Sequence, residues 1–352
     1  MIVYLAFIGL VISSFSLDYL YKKEGCGIFA LFAILLTILL DILRYYVGYD
    51  YDTYSYFFGE SISSLIDKKL EWGFIGVVWF LHLFEADPFW LFFCFGVGII
   101  GFILHGVKLY TRNVRIAFLI YLLIPGLFLN SLSIIRQALA IAILFNAFYY
   151  YCNKRYKTFW ILFLLAFLFH YSSLLVLPFF LLAPKLQGKV KWLIWIGIPL
   201  SLILYKLNFI DTVITALLGS SRFVVYAEYE DAGASFVKLL VLNLSVVVYL
   251  FFYKKMDKQN RSMLALAVIG LLLLNTCASV GAITRISYYF KIFEIVLLAN
   301  IVSYFRASLN RVAACTCISI YFFAMFYSAL YRDYTAVDTY PKMTPYQTIW
   351  ER

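Results

Sequence analysis

Apolar runs of about 18 residues or more recur from one end of this 352-residue chain to the other, and no other feature limits its fold so tightly. A run of that length crosses the hydrocarbon core of a bilayer as a helix. The runs are continuous and do not alternate, so they read as helices and not as barrel strands. Because the bilayer core holds no water, each helix must satisfy its own backbone groups. The chain is 64% hydrophobic and 14% charged. A soluble domain is nearer half apolar and a quarter charged.

A net charge of +10 raises the question of nucleic acid, and the placement of the charges answers it. Lys22-Lys23, Lys108/Arg112/Arg115, Lys154/Arg155/Lys157, Lys185/Lys189/Lys191, Lys254/Lys255/Lys258/Arg261 and Arg306/Arg311 sit in short loops between apolar runs. By the positive-inside rule they mark the cytoplasmic side. Glu24 and Asp257 lie among them, whereas Asp50, Asp52, Glu60, Asp67, Glu71, Glu85, Asp87, Asp211, Glu228, Glu230, Asp231, Asp333 and Asp338 fall on the other side. The basic balance is therefore a topology signal; membrane lipid is the expected surrounding and nucleic acid is not a partner. Met1 opens directly into an apolar run with no basic leader, so the first segment reads as a retained span. The six cysteines are scattered in or beside apolar runs and read as embedded thiols.

These signals predict an all-α polytopic membrane protein forming a single transmembrane domain, 1–352, with about twelve transmembrane helices. The expected spans are 2–20, 27–43, 89–107, 116–130, 134–151, 158–170, 173–184, 192–208, 236–253, 262–280, 286–304 and 312–330. Residues 72–84 are apolar but too few to cross, and are expected to form a short re-entrant or interfacial helix on the outer face. Outer segments are then expected at about 44–88 and 209–235, with an outer tail at 331–352 and both termini outside.

Polar groups embedded in such a chain need a reason. Arg44 closes an apolar run, Arg136-Gln137 opens another, and Arg285 opens a third with Tyr288 and Tyr289 on its own helix face. All three arginines fall near the outer ends of spans. A guanidinium pairs bidentately with phosphate, so together they favour a shared anionic site such as one for pyrophosphate. The alternative for each is to snorkel or to pair with a local acid such as Asp41 or Asp50. His170 sits between two short apolar runs as a candidate general acid or base, or as a histidine bonded at a helix break. His82 and His105 read as structural. Lys291 and Glu294, three apart, are placed to neutralise each other.

The stretch Arg44–Tyr54 adds Asp50, Tyr51, Asp52 and Tyr54 around Gly48, and Tyr346 repeats the aromatic character in the tail. Aromatic faces and carboxylates are the groups that hold sugar rings, stacking on C–H faces and bonding hydroxyls. An exposed loop carboxylate is otherwise merely solvated. No P-loop, HExxH, GxSxG or DxD-type metal signature occurs, so no nucleotide, metal or other cofactor is expected.

With these motifs in order, the chain resembles the EpsG family of Wzy-like polysaccharide polymerases. The resemblance rests on Arg44-x3-Gly48-x-Asp50-Tyr51-x2-Tyr54, Ile135-Arg136-Gln137, Phe169-His170-Tyr171-Ser172, Arg285-x2-Tyr288-Tyr289-Phe290 and Pro345-Tyr346. Ser133 stands where the family pattern often has asparagine, with Asn130 one turn earlier. The resemblance implies polymerisation of oligosaccharide repeat units carried on undecaprenyl pyrophosphate, at the outer face of the bacterial cytoplasmic membrane, in a GT-C-like helix arrangement. It implies that Arg44, Arg136 and Arg285 hold the donor pyrophosphate and that Asp50 or His170 is the base. Tyr51, Asp52, Tyr54, Gln137, Tyr288, Tyr289 and Tyr346 would bind substrate. Other polysaccharide-assembly proteins, such as a flippase and a chain-length regulator, would be partners. Rival readings are a flippase or transporter of lipid-linked oligosaccharide, which tends to show paired repeats with broken helices, and a membrane acyltransferase using His170.

Overall fold

The computed structural model describes residues 1–21, 27–210, 212–213, 236–278, 281–336 and 342–351. Among the described residues the protein is helical, with no strand and two isolated β-bridges. Most of the expected outer loop 209–235 lies outside the described residues, as do Lys22-Lys23 and 337–341 of the tail. The helices used below are α1 (Ile2–Tyr21), α2 (Ile28–Ile42), α3 (Tyr51–Gly59), α4 (Ile62–Asp67), α5 (Trp72–His82), α6 (Pro88–Tyr110), α7 (Val114–Leu123), α8 (Phe128–Ser131), α9 (Ile135–Cys152) and α10 (Tyr156–Phe169). Later helices are given by their residues.

Five described helices are long and apolar enough to cross a membrane: Ile2–Tyr21, Pro88–Tyr110, Phe236–Lys255, Thr284–Ser303 and Ser308–Thr335. A sixth span arises if Tyr171–Leu186 and Val190–Lys206, bent by 116°, count as one. Shorter apolar helices, α2, α5, α7 and α10, lie among them. The chain is thus an all-helical, multi-pass membrane protein. The expected span 116–130 comes out short for a local reason. The run 116–130 stops at Leu123 because Pro125 follows, and the residue before it, Ile124, is extended at φ −81°, ψ 107°. Helix α5, at 11 residues, is about 17 Å long and cannot cross a core about 30 Å thick.

The chain, read as one transmembrane domain, packs as two compact units: Met1–Ser173 with Leu298–Arg352, and Leu174–Leu297. In the first, α9 is the central helix, flanked by α6 and α10. Its residues are buried from Ile135 to Phe148 with Arg136 the exception. The polar Asn146 within it is fully bonded: its amide donates to Ala142 O and Phe102 O, each at 2.8 Å, and its oxygen faces His105 Nδ1 at 2.6 Å. On the basic side Asp18 is buried, accepts from Gly27 N and Ala30 N at the start of α2, and pairs with Arg115 at 2.8 Å. One carboxylate there ties α1, α2 and α7 together.

Between α7 and α9 the buried backbone is irregular, which is tolerated at membrane depth only where protein covers it. It is satisfied internally by Asn130 N to Pro125 O, Ser131 N to Leu127 O and Ile134 N to Asn130 O.

In the second unit the helix Lys258–Thr276 packs against Leu177–Leu186, Ile198–Lys206 and Gly281–Lys291. Its Asn275 is wholly buried and bonds Ser201 at 2.9 Å and Asn243 at 2.8 Å. Lys291 and Glu294 form the expected pair, at 3.3 Å.

Candidate functional site

After α2 the chain leaves the helix at Leu43 and runs through Arg44–Asp50 to α3. Two contacts dock this stretch on the turn that opens α9. Gly48 has φ +109°, a conformation side chains avoid, and an added Cβ would collide with Leu132 O. Tyr49 N donates to Ser133 Oγ at 3.0 Å. The tail covers the other edge: Tyr45 N donates to Gln347 O, Gly48 N to Lys342 O and Ile349 N to Leu43 O. Asp333 fixes that tail by accepting from Tyr49 Oη at 2.8 Å, Met343 N at 3.2 Å, Thr344 N at 2.8 Å and Thr344 Oγ1 at 2.5 Å. Tyr346 Oη donates to Leu40 O at 2.7 Å, and its ring meets Tyr4 edge-on at 5.6 Å. Burial pushes that hydroxyl up to about 12, so it stays a neutral donor.

Arg44 is buried. Its side chain is 1% exposed, ion-paired with Asp41 and set over the Phe92 ring at 5.1 Å. Of the two readings open for it, the structure has the local acid. Tyr51 stacks on the same Phe92 at 4.4 Å, so the first turn of α3 rests on α6.

The second arginine has a different setting. Arg136, in the first turn of α9, has its guanidinium 5.5 Å from the Tyr54 ring and 5.4 Å from the Phe74 ring. It is ion-paired with Glu71 Oε2, and Glu71 Oε1 meets His170 Nδ1 at 2.8 Å. Arg136, Glu71 and His170 thus form a chain of three, with side chains 17%, 7% and 26% exposed. Each position has a local cause. Glu71 is the extended residue that precedes α5. His170 is the C-cap of α10, extended at φ −158°, where the helix gives way to a tight 3₁₀ stretch, Tyr171–Val176. The two helix ends meet because Gly73 lets α5 lie against Leu168: an added Cβ would sit 2.7 Å from Leu168 O. Burial works against the charge on Glu71, but the hydrogen bond with His170 and the field of Arg136 outweigh it and hold the carboxyl below its ordinary 4.5.

The structure therefore gathers Tyr54, Arg136 and His170, and the field of Asp50 reaches the same Tyr54 hydroxyl. Asp50 stands just before α3. Asp52 is exposed on its first turn and bonds the Tyr46 hydroxyl. Gln137 is buried in the body of α9. Arg285, Tyr288 and Tyr289 lie on Gly281–Lys291 of the second unit, Tyr289 buried and the other two half-buried. His82 is structural, its Nε2 2.7 Å from Phe58 O.

Glu71 is the residue the sequence reading missed as a site member. Its partners stand 65 and 99 positions away, so no local spacing links them. The available signal was an acid at the border of an apolar stretch too short to cross.

Chemically, the cluster offers a guanidinium for an anionic group and a partly exposed imidazole for proton transfer. The sequence model of the EpsG family matches residues 27–348, nearly the whole chain. No curated protein and no solved structure matches it.

Proposed function

The chain belongs to the EpsG family, a family of Wzy-like polysaccharide polymerases, and from that premise we propose that it joins lipid-linked oligosaccharide repeat units into a surface polysaccharide. In this reading the donor glycan is carried on undecaprenyl pyrophosphate and moves to a sugar hydroxyl of the incoming unit at the outer face of the bacterial cytoplasmic membrane. No nucleotide or metal takes part.

The observation that carries the reading is the Arg136–Glu71–His170 chain beside the tyrosines of α3. Arg136 meets the pyrophosphate as it leaves, where fixed positive charge stabilises the transition state. The family resemblance assigns Arg285, on the second unit, to pyrophosphate as well. Arg44, closed off against Asp41, is assigned to holding the 43–50 stretch in place rather than to phosphate. Asp50 and His170 are the base candidates, and Tyr51, Asp52, Tyr54, Gln137 and Tyr346 are assigned to substrate binding. The resemblance assigns Tyr288 and Tyr289, on the second unit, to substrate as well. About twelve crossings in a GT-C-like arrangement, with α5 as a half-helix on the outer side, belong to this reading through the family resemblance and the pattern of apolar runs. Transport of the lipid-linked unit is the rival, and it predicts movement of substrate without lengthening.

The test is incubation of purified protein in detergent with a lipid-linked repeat unit alone, followed by product sizing. Lengthened glycan is expected without nucleotide. Arg136→Ala and Arg285→Ala, each checked for insertion and a single gel-filtration peak, are expected to leave single-repeat products. Normal chain lengths in both variants would overturn the pyrophosphate assignment, and an unlengthened substrate with the native protein would overturn the polymerase reading.

A further inference from the structure

We infer that Glu71 is a positioning residue that fixes His170 in the one tautomer able to act as general base. The inference rests on the polymerase reading for the identity of the reaction, but its geometry stands by itself. An ionised carboxylate can only accept hydrogen bonds. At 2.8 Å from Glu71 Oε1, His170 Nδ1 must therefore carry the ring proton, and Nε2 keeps the lone pair of the neutral ring. The carboxylate cannot turn away, because its other oxygen is held by Arg136 and its side chain is 7% exposed. Arg136 is in turn held between the Tyr54 and Phe74 rings. The close approach of Gly73 to Leu168 fixes the separation of the two helix ends that carry Glu71 and His170. Of the two base candidates, His170 is the one assigned to the proton, on the ground of this carboxylate contact.

The step balances as follows. His170 Nε2 takes the proton of the acceptor sugar hydroxyl. The freed oxygen pair forms the new bond to the anomeric carbon of the donor glycan. The bond from that carbon to the pyrophosphate oxygen breaks, and its electron pair leaves on the pyrophosphate, whose charge Arg136 meets. The imidazolium then gives its proton to water, and Glu71, which stabilises the imidazolium from Nδ1, ends unchanged.

The chain has three histidines, so ring ¹⁵N spectra of histidine-labelled protein in detergent are simple to assign. His82, whose Nε2 donates to Phe58 O, supplies the opposite tautomer in the same spectrum. His170, identified by the signals lost in His170→Gln, is expected as the Nδ1–H form. In Glu71→Gln the amide can either accept or donate, and a mixture of tautomers is expected. With a lipid-linked repeat unit as substrate, Glu71→Gln should lower kcat by roughly ten- to a hundredfold, within the range general-base catalysis supplies, and move KM by less than about threefold. Glu71→Asp, which keeps an acceptor-only group, should recover part of kcat and the Nδ1–H signature. An Nε2–H form of His170 in the native protein, or native kcat in a folded Glu71→Gln, would overturn the inference. Failure of the native protein to lengthen substrate would overturn the polymerase reading instead, and leaves the tautomer result to be judged separately.

Discussion

Glu71 is a buried carboxylate with two cationic or ionisable neighbours, and its energetics follow from them. Its folded pKa lies below the ordinary 4.5. It therefore contributes stability that is fully present above that value and is lost as pH falls through the lower folded value. Thermal unfolding in detergent should show a midpoint that is flat above about pH 5 and declines below it. In Glu71→Gln the decline over the same acid window should be shallower; an unchanged slope would mean the carboxylate is not ionised in the fold. At this scale the sequence showed Arg136 and His170 readily, because a guanidinium or imidazole in apolar surroundings demands a partner. It showed Arg44 for the same reason, and the partner turned out to be Asp41, three residues back in the chain. Glu71 was legible only as one acid among the outer ones, since an acid near a loop usually has water for its partner.

Helix α5 decides whether the pieces meet. It carries two glycines with opposite surroundings. An added Cβ at Gly73 would sit 2.7 Å from the backbone oxygen of Leu168, whereas at Gly76 it would find nothing within 4 Å. Gly73→Ala must push α5 away from α10, separating Glu71 from His170. Gly76→Ala should only gain helix propensity, about 0.5–1 kcal/mol. Polymer formation is expected to fall by about tenfold or more in Gly73→Ala. Gly76→Ala should keep native activity with a slightly higher unfolding midpoint. Equal behaviour of the two variants would show that the α5–α10 approach does not set the site. The sequence foresaw α5 as a short apolar helix from its length alone, but not which glycine it uses to pack.

Over the whole molecule, the tail closes back on the start of the chain. Asp333, at the end of Ser308–Thr335, holds Met343, Thr344 and Tyr49 together, and residues 342–349 pair with 43–48. Asp333→Ala leaves those buried donors unmet and should cost about 1–3 kcal/mol. Limited trypsin digestion should then cut after Lys342 faster than in the native protein, and an unchanged rate would argue that the tail is held by other contacts. The sequence by itself determined that the chain is a helical, multi-pass membrane protein, because apolar length and the placement of lysine and arginine are properties of the chain read locally against the bilayer. It also carried enough ordered motifs to place the chain in its family. What only the tertiary structure decided was which charges pair: Arg44 with Asp41, Arg136 with Glu71, and Glu71 with His170. A charge buried in a membrane protein must find a counter-charge within a few ångströms. Which one it finds depends on helix ends brought together from 65 and 99 residues apart, and no local pattern records that.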